Sequence, residues 1–174
     1  MSALHSLLRA LRAALAKVAA WNQSATQPLS PKRSEDMAET HTASCHCGAV
    51  RYEADIDLSA EKTIRCNCSY CLKSRAWLAF LKPDQFRLLS GEDALTEYQW
   101  TPPGKPGPFI HYKFCGTCGV RAFAHGGDEK TGVFYAINVA ALDDADPDDL
   151  VAHLGYIDGA NNNFQAPPAD TRLL

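Results

Sequence analysis

Cys66-Asn67-Cys68-Ser69-Tyr70-Cys71 places three thiols within six residues, close enough to converge on one point. Sulfur donors at that density suit a soft or borderline metal, and zinc holds a thiolate at about 2.3 Å. A zinc site with three protein ligands keeps a fourth position for water or substrate, so this stretch is where chemistry can occur.

Two further cysteine groups flank it. Cys45-His46-Cys47-Gly48 lies upstream and Phe114-Cys115-Gly116-Thr117-Cys118-Gly119 downstream. Structural zinc takes four thiolates or imidazoles, and two chelating pairs far apart in sequence supply them while pinning the strands that carry them. Cys45 and Cys47 with Cys115 and Cys118 are such pairs, and their glycines permit tight knuckles. Cys66, Cys68 and Cys71 are left with no fourth cysteine. Three thiolates would give Zn²⁺ a formal charge of about −1, a weaker Lewis acid than a tris-imidazole site but suited to holding an incoming thiolate. Otherwise a histidine, His46, His111 or His125, completes the set. Two zinc ions per chain are therefore expected.

The seven cysteines are odd in number, and close ligand-like spacing is unlike a disulfide framework. A reducing compartment, the cytoplasm, is the expected location. No apolar run approaches the roughly 20 residues a membrane span needs. From residue 37 onward 12 Lys and Arg stand against 18 Asp and Glu, a net of −6 that argues against nucleic acid as a partner.

The pattern between the cysteines is that of a mainly β domain. Val50, Tyr52 and Ala54 alternate with charged residues at strand period. Thr63-Ile64-Arg65 delivers the chain to the central cluster. Ala76–Leu81 is an apolar run that reads as a strand buried on both faces, ended by Pro83-Asp84. Further strands are expected at Gln85–Leu89, Thr96–Trp100, Phe109–Phe114, Val120–Ala124 and Val133–Val139, all suited to an antiparallel fold. Asp143–Asp149 reads as a solvated loop, with Asp148 or a neighbour capping a helical turn near Leu150–His153. Gly155–Phe164 reads as turns. Trp77, Phe80, Phe109, Tyr112 and Phe114 are expected in the core, and Lys73, Arg75 and Arg121 are cations near the cysteines that could bind a substrate carboxylate.

Leu4, Leu7, Leu8, Leu11, Leu15 and Val18 recur at helical spacing among Arg9, Arg12 and Lys17. Residues 1–40 are thus expected to form an amphipathic helix and linker outside the domain, with residues 1–36 dispensable or an over-extended start, and residues 41–174 to form the zinc-binding β domain.

Cys45-x-Cys47-Gly48, Cys66-x-Cys68-x-x-Cys71 and Phe114-Cys115-x-x-Cys118-Gly119, in this order, resemble the glutathione-dependent formaldehyde-activating enzyme family, whose domain is shared with centromere protein V. The similarity includes Ser90–Leu95, Asn138-Val139 and Asp158-Gly159. It implies an Mss4-like antiparallel β fold, a structural zinc on Cys45, Cys47, Cys115 and Cys118, and a catalytic zinc on Cys66, Cys68 and Cys71. It also implies a carbon–sulfur lyase that joins or separates glutathione and formaldehyde. Leu72–Arg75 and the uncharged Ala160–Asn163 depart from many relatives. A rival reading is a zinc-stabilised binding module without turnover, and a third, redox sensing, would require thiols that zinc occupies first.

Overall fold

The computed structural model describes residues 38–101, 104, 107, 109–128 and 132–174. The amphipathic helix expected at residues 4–18 lies outside them.

Among the described residues ten strands form two sheets. The smaller has the order β1-β2-β5, from Glu39–Ser44 (β1), Arg51–Ile56 (β2) and Phe86–Ser90 (β5). The larger has the order β10-β3-β4-β9-β8-β7-β6. Its members are Thr63–Cys66 (β3), Trp77–Leu81 (β4), Leu95–Trp100 (β6), Ile110–Cys115 (β7), Arg121–Asp128 (β8), Gly132–Asn138 (β9) and Leu154–Ile157 (β10). Neighbours run antiparallel except β10, which pairs parallel to β3 from Leu154↔Thr63 to Ile157↔Cys66. Gly155–Ile157 therefore belongs to a strand and not to the turns expected there.

The alternation in β2 decides how the sheets meet. Tyr52, Ala54 and Ile56 are buried while Arg51 and the acids between them face outward. The inner residues pack with Ala79, Leu81, Phe123 and Ile137 of the larger sheet in one core. Burying a side chain such as Ile56 or Ile137 contributes about 1.5–3 kcal/mol. Tyr52 adds a polar anchor, its hydroxyl donating to the Ala122 carbonyl at 3.0 Å. Burial raises its pKa, which keeps the phenol a donor.

Two expectations change on contact with this architecture. In β4, Leu78, Ala79 and Leu81 are buried, but Phe80 is 45% exposed. Its face of the sheet continues to Phe134, whose ring centre is 5.7 Å away. The Asp143–Asp149 run is exposed, yet its first two carboxylates are committed to β1. Asp144 accepts from the Thr42 amide and hydroxyl and meets His41 at 3.0 Å, while Asp143 accepts from Ser44. The following helix is Pro147–Ala152 (α2), capped by Asp146 through the Asp148 amide.

A second helix, Ser69–Ser74 (α1), rises from the central cluster. It is short because Arg75 turns into the left-handed region at φ 51° and its amide closes on the Cys71 carbonyl. The next residues enter β4.

Candidate functional site

The knuckle at Cys45 and the one at Cys115 are built alike. Cys45 directly follows β1, and Cys115 is the last residue of β7. In each, the first cysteine's amide bonds the carbonyl five residues on, Cys45 to Val50 at 3.0 Å and Cys115 to Val120 at 2.9 Å. Its carbonyl is returned to by a glycine amide, Gly48 or Gly119, at 2.9 and 2.8 Å. Both glycines have positive φ, 76° and 74°, which a side chain would strain.

This geometry brings Cys45, Cys47, Cys115 and Cys118 together with all four sulfurs within 4.8 Å. The Sγ atoms of Cys45 and Cys47 are 3.5 Å apart, and those of Cys47 and Cys115 are 3.6 Å apart. Backbone amides point at the sulfurs: that of Val50 reaches Cys45 Sγ at 3.3 Å. The amides of Val120 and then Cys47 hold the Cys118 thiol down to about 6. Four sulfurs so arranged, two of them fully buried, are a donor set suited to a tetrahedral thiophilic ion.

The second group is local. Cys66 ends β3, Cys68 caps α1 and Cys71 lies in its first turn, and their sulfurs also fall within 4.8 Å of one another. The Cys71 amide donates to Cys68 Sγ at 3.5 Å and the Cys68 amide to Cys66 Sγ at 3.4 Å. Hydrogen bonds from Cys66 and then Cys71 pull the Cys68 thiol far below its ordinary range. The same contacts push Cys71 far up, Cys66 first and Cys68 second, because three clustered sulfurs cannot all ionise without a cation. The donors therefore fit a metal ion chemically. Among the described residues no histidine or carboxylate joins them at that spacing. His46 is an exposed turn residue, and His111 and His125 lie in a separate group.

One wall of this group comes from the segment after β10. Gly159 lies so close that an added Cβ would meet Cys66 Sγ at 2.5 Å and Cys68 Cβ at 3.2 Å. Asn67 fastens the segment from between the cysteines. It donates to Asp158 Oδ1 at 2.7 Å and accepts from the Ala160 amide at 2.9 Å. A shallow cleft reaches Cys66 and Cys71 between Arg65, Arg75, Leu173 and Leu174.

A second wall is aromatic. Tyr70, inside the Cys68–Cys71 turn, stacks on Tyr112 of β7 with ring centres 3.6 Å apart, and Tyr98 of β6 stacks farther out at 5.8 Å from Tyr70. Burial raises the Tyr70 and Tyr112 phenols against the opposing pull of the Arg121 charge, so both remain donors.

The three cations near the cysteines have separate fates. Lys73 is exposed in the last turn of α1. Arg75 donates to the Leu173 carbonyl. Arg121 comes beside the tyrosine stack, its guanidinium carbon 5.4 Å from the centre of the Tyr112 ring and 5.7 Å from that of Tyr70. Its Nε and Nη1 are buried without a hydrogen-bond partner. Residue spacing along the sequence does not separate Arg121 from the other two, nor does it single out Asn67 and Tyr70.

Glu97, His111 and His125 form a third group with ligand atoms within 4.8 Å. It is already satisfied internally. Glu97 pairs with Lys113, Gln99 and His111, in that order, which hold its carboxyl down to about 2. The His111 and His125 rings stack 4.6 Å apart at 5°, so their in-plane lone pairs run parallel instead of converging on an ion.

A crystal structure of a Rhodobacter sphaeroides protein is similar to this chain at a TM-score of 0.53 and 29% identity, covering 66% of this chain and 98% of that one. The sequence profile of the glutathione-dependent formaldehyde-activating enzyme family matches residues 40–154, which takes in all seven cysteines. That match spans well over half of the chain, which therefore belongs to the glutathione-dependent formaldehyde-activating enzyme family.

Proposed function

We propose that the protein is a zinc-dependent carbon–sulfur lyase or synthase that adds a small aldehyde to a thiol or removes it, with glutathione and formaldehyde as the pair suggested by its family. The observation that carries this reading is the inequality of the two cysteine groups. One has four sulfurs and the other three with no described histidine or carboxylate beside them. On this reading Cys45, Cys47, Cys115 and Cys118 hold a structural zinc, Cys66, Cys68 and Cys71 hold the working one, and the functional domain spans residues 41–174. The thiols call for a reducing compartment such as the cytoplasm. No helix among the described residues is long and apolar enough to cross a membrane.

The bound metal would supply charge to stabilise a thiolate or polarise a carbonyl oxygen at neutral pH. The chain's own residues do the rest. Cys66, Cys68 and Cys71 would hold the metal between a strand end and a helix start, which the Cys68 amide ties together through its 3.4 Å bond to Cys66 Sγ. Gly159 leaves room against Cys66, and Asn67 with Asp158 holds that wall in place. The protonated phenols of Tyr70 and Tyr112 offer hydrogen-bond donors to an oxygen or sulfur that gains charge. Confinement of thiol and aldehyde in one orientation contributes the entropic part of the acceleration.

The test is calorimetry of the zinc-loaded chain with reduced glutathione, beside Cys66→Ser. Saturable binding that the variant loses, with metal content falling from two ions to one and the fold retained, is the expected result. Global unfolding of the variant, or binding indifferent to it, would instead favour a zinc-stabilised binding module without turnover.

A further inference from the structure

We propose that Arg121 is a carboxylate receptor of the Cys66–Cys68–Cys71 site, so that the protein selects thiols carrying a carboxylate over neutral thiols. The inference rests on the thiol reading above and assigns the part of the substrate that reading leaves open.

A buried guanidinium is costly unless its charge and N–H groups find partners. Arg121 Nε and Nη1 are buried and find none, and no carboxylate pairs with the side chain among the described residues. The neighbouring rings compensate only in part. Tyr70 and Tyr112 centres are 3.6 Å apart, and the guanidinium carbon is nearly equidistant from both, at 5.7 and 5.4 Å. A cation–π contact at these distances offers the charge some attraction but gives the buried N–H groups no acceptor.

The side chain is held there from its backbone. Asn138 Nδ2 donates to the Arg121 carbonyl at 3.0 Å, and Arg121 pairs with Phe114 across β7 and β8. A planar, permanently charged donor set in a fixed position matches a carboxylate, and a hydrogen bond between charged partners is the strongest it can make. Tyr70 connects this donor to the chemistry, since its ring lies against Arg121 and its residue lies between Cys68 and Cys71. Arg65 and Arg75 do not compete for the role. Arg65 rests 4.8 Å from the centre of the Trp77 ring, and Arg75 donates to Leu173.

The experiment loads the full chain with Co²⁺ and follows the sulfur-to-cobalt absorption while titrating 3-mercaptopropionate or its methyl ester, two thiols that differ in the carboxylate. The wild type should bind the acid roughly ten- to a hundredfold more tightly than the ester. Arg121→Gln should lose that preference while binding the ester as before, and Arg121→Lys should keep part of it. Circular dichroism and cobalt content check that each variant folds and loads; if Arg121→Gln does not fold, the Arg121→Lys comparison decides. An unchanged preference in the variants, or none in the wild type, would overturn the proposal. Equal weakening of both thiols with loss of cobalt would also overturn it, making Arg121 a counter-ion of the sulfurs. If neither thiol perturbs the spectrum, the thiol reading falls. The carboxylate claim is then decided alone by titrating propionate and observing the Arg121 Nε–H resonance: a saturable shift supports it and none refutes it.

Discussion

The two cysteine groups use the same ligand chemistry for different mechanical ends. The four-cysteine group joins Cys45 and Cys47 to Cys115 and Cys118, with sulfurs 68 residues apart in sequence touching at 3.6 Å. It thereby fastens the end of β1 to the end of β7, one strand from each sheet. The three-cysteine group spans a single strand–helix turn and fastens little beyond itself. A group that closes the fold contributes to global stability, while a group contained in one turn could gain or lose an ion and leave the sheets intact. The neighbours differ as well: backbone amides reach sulfurs of both groups, and the second has aromatic and amide side chains and a half-buried arginine beside it.

Cys115→Ser should separate the groups most sharply. It should lower the unfolding free energy by on the order of 5 kcal/mol or more, because metal binding at such a site is coupled to folding. Urea denaturation of the zinc-loaded chain measures it, and a loss as small as that of Cys66→Ser would dissolve the distinction. Next in size, Gly159→Ala places a methyl into space held by Cys66 Sγ. Overpacking of this kind costs about 1–3 kcal/mol, and the variant should retain one ion per chain in place of two by elemental analysis. Retention of both ions would mean that the wall yields freely. Asn67→Ala should have the smallest effect, about 1 kcal/mol for its lost hydrogen bonds. Exchange of the Asp158–Asn163 amides should quicken while those of the two knuckles do not change. Equal quickening at the knuckles would show the groups to be coupled.

Much of this contrast is legible in the sequence. Ligand spacing alone distinguishes two distant pairs from a compact trio, and period-two alternation in β2 fixes which face meets the core. What escapes has physical causes. β10 has four residues, all half-buried, including Gly155, and its partner is a parallel strand about 90 residues away, so no local pattern marks it. Phe80 looks like its buried neighbours because a sequence does not say where a sheet runs past the element that covers it. α1 has six residues, too few for a helical period to repeat, and its cap is a cysteine already accounted for as a ligand. Arg121 resembles Lys73 and Arg75 until burial distinguishes it.

The parallel pairing of β10 with β3 sets an order of events in the life of the chain. As the polypeptide emerges from synthesis, Cys66, Cys68 and Cys71 appear together and need only a few residues of loop to gather. The four-cysteine group must wait for Cys118 and close a loop of 68 residues between Cys47 and Cys115, an entropic difference of roughly 3 kcal/mol. Yet Gly159, which walls the early trio, is made later than either. The three-cysteine group is thus the first to be able to gather and the last to be enclosed, and for the interval between, its sulfurs stand open to whatever the growing chain meets.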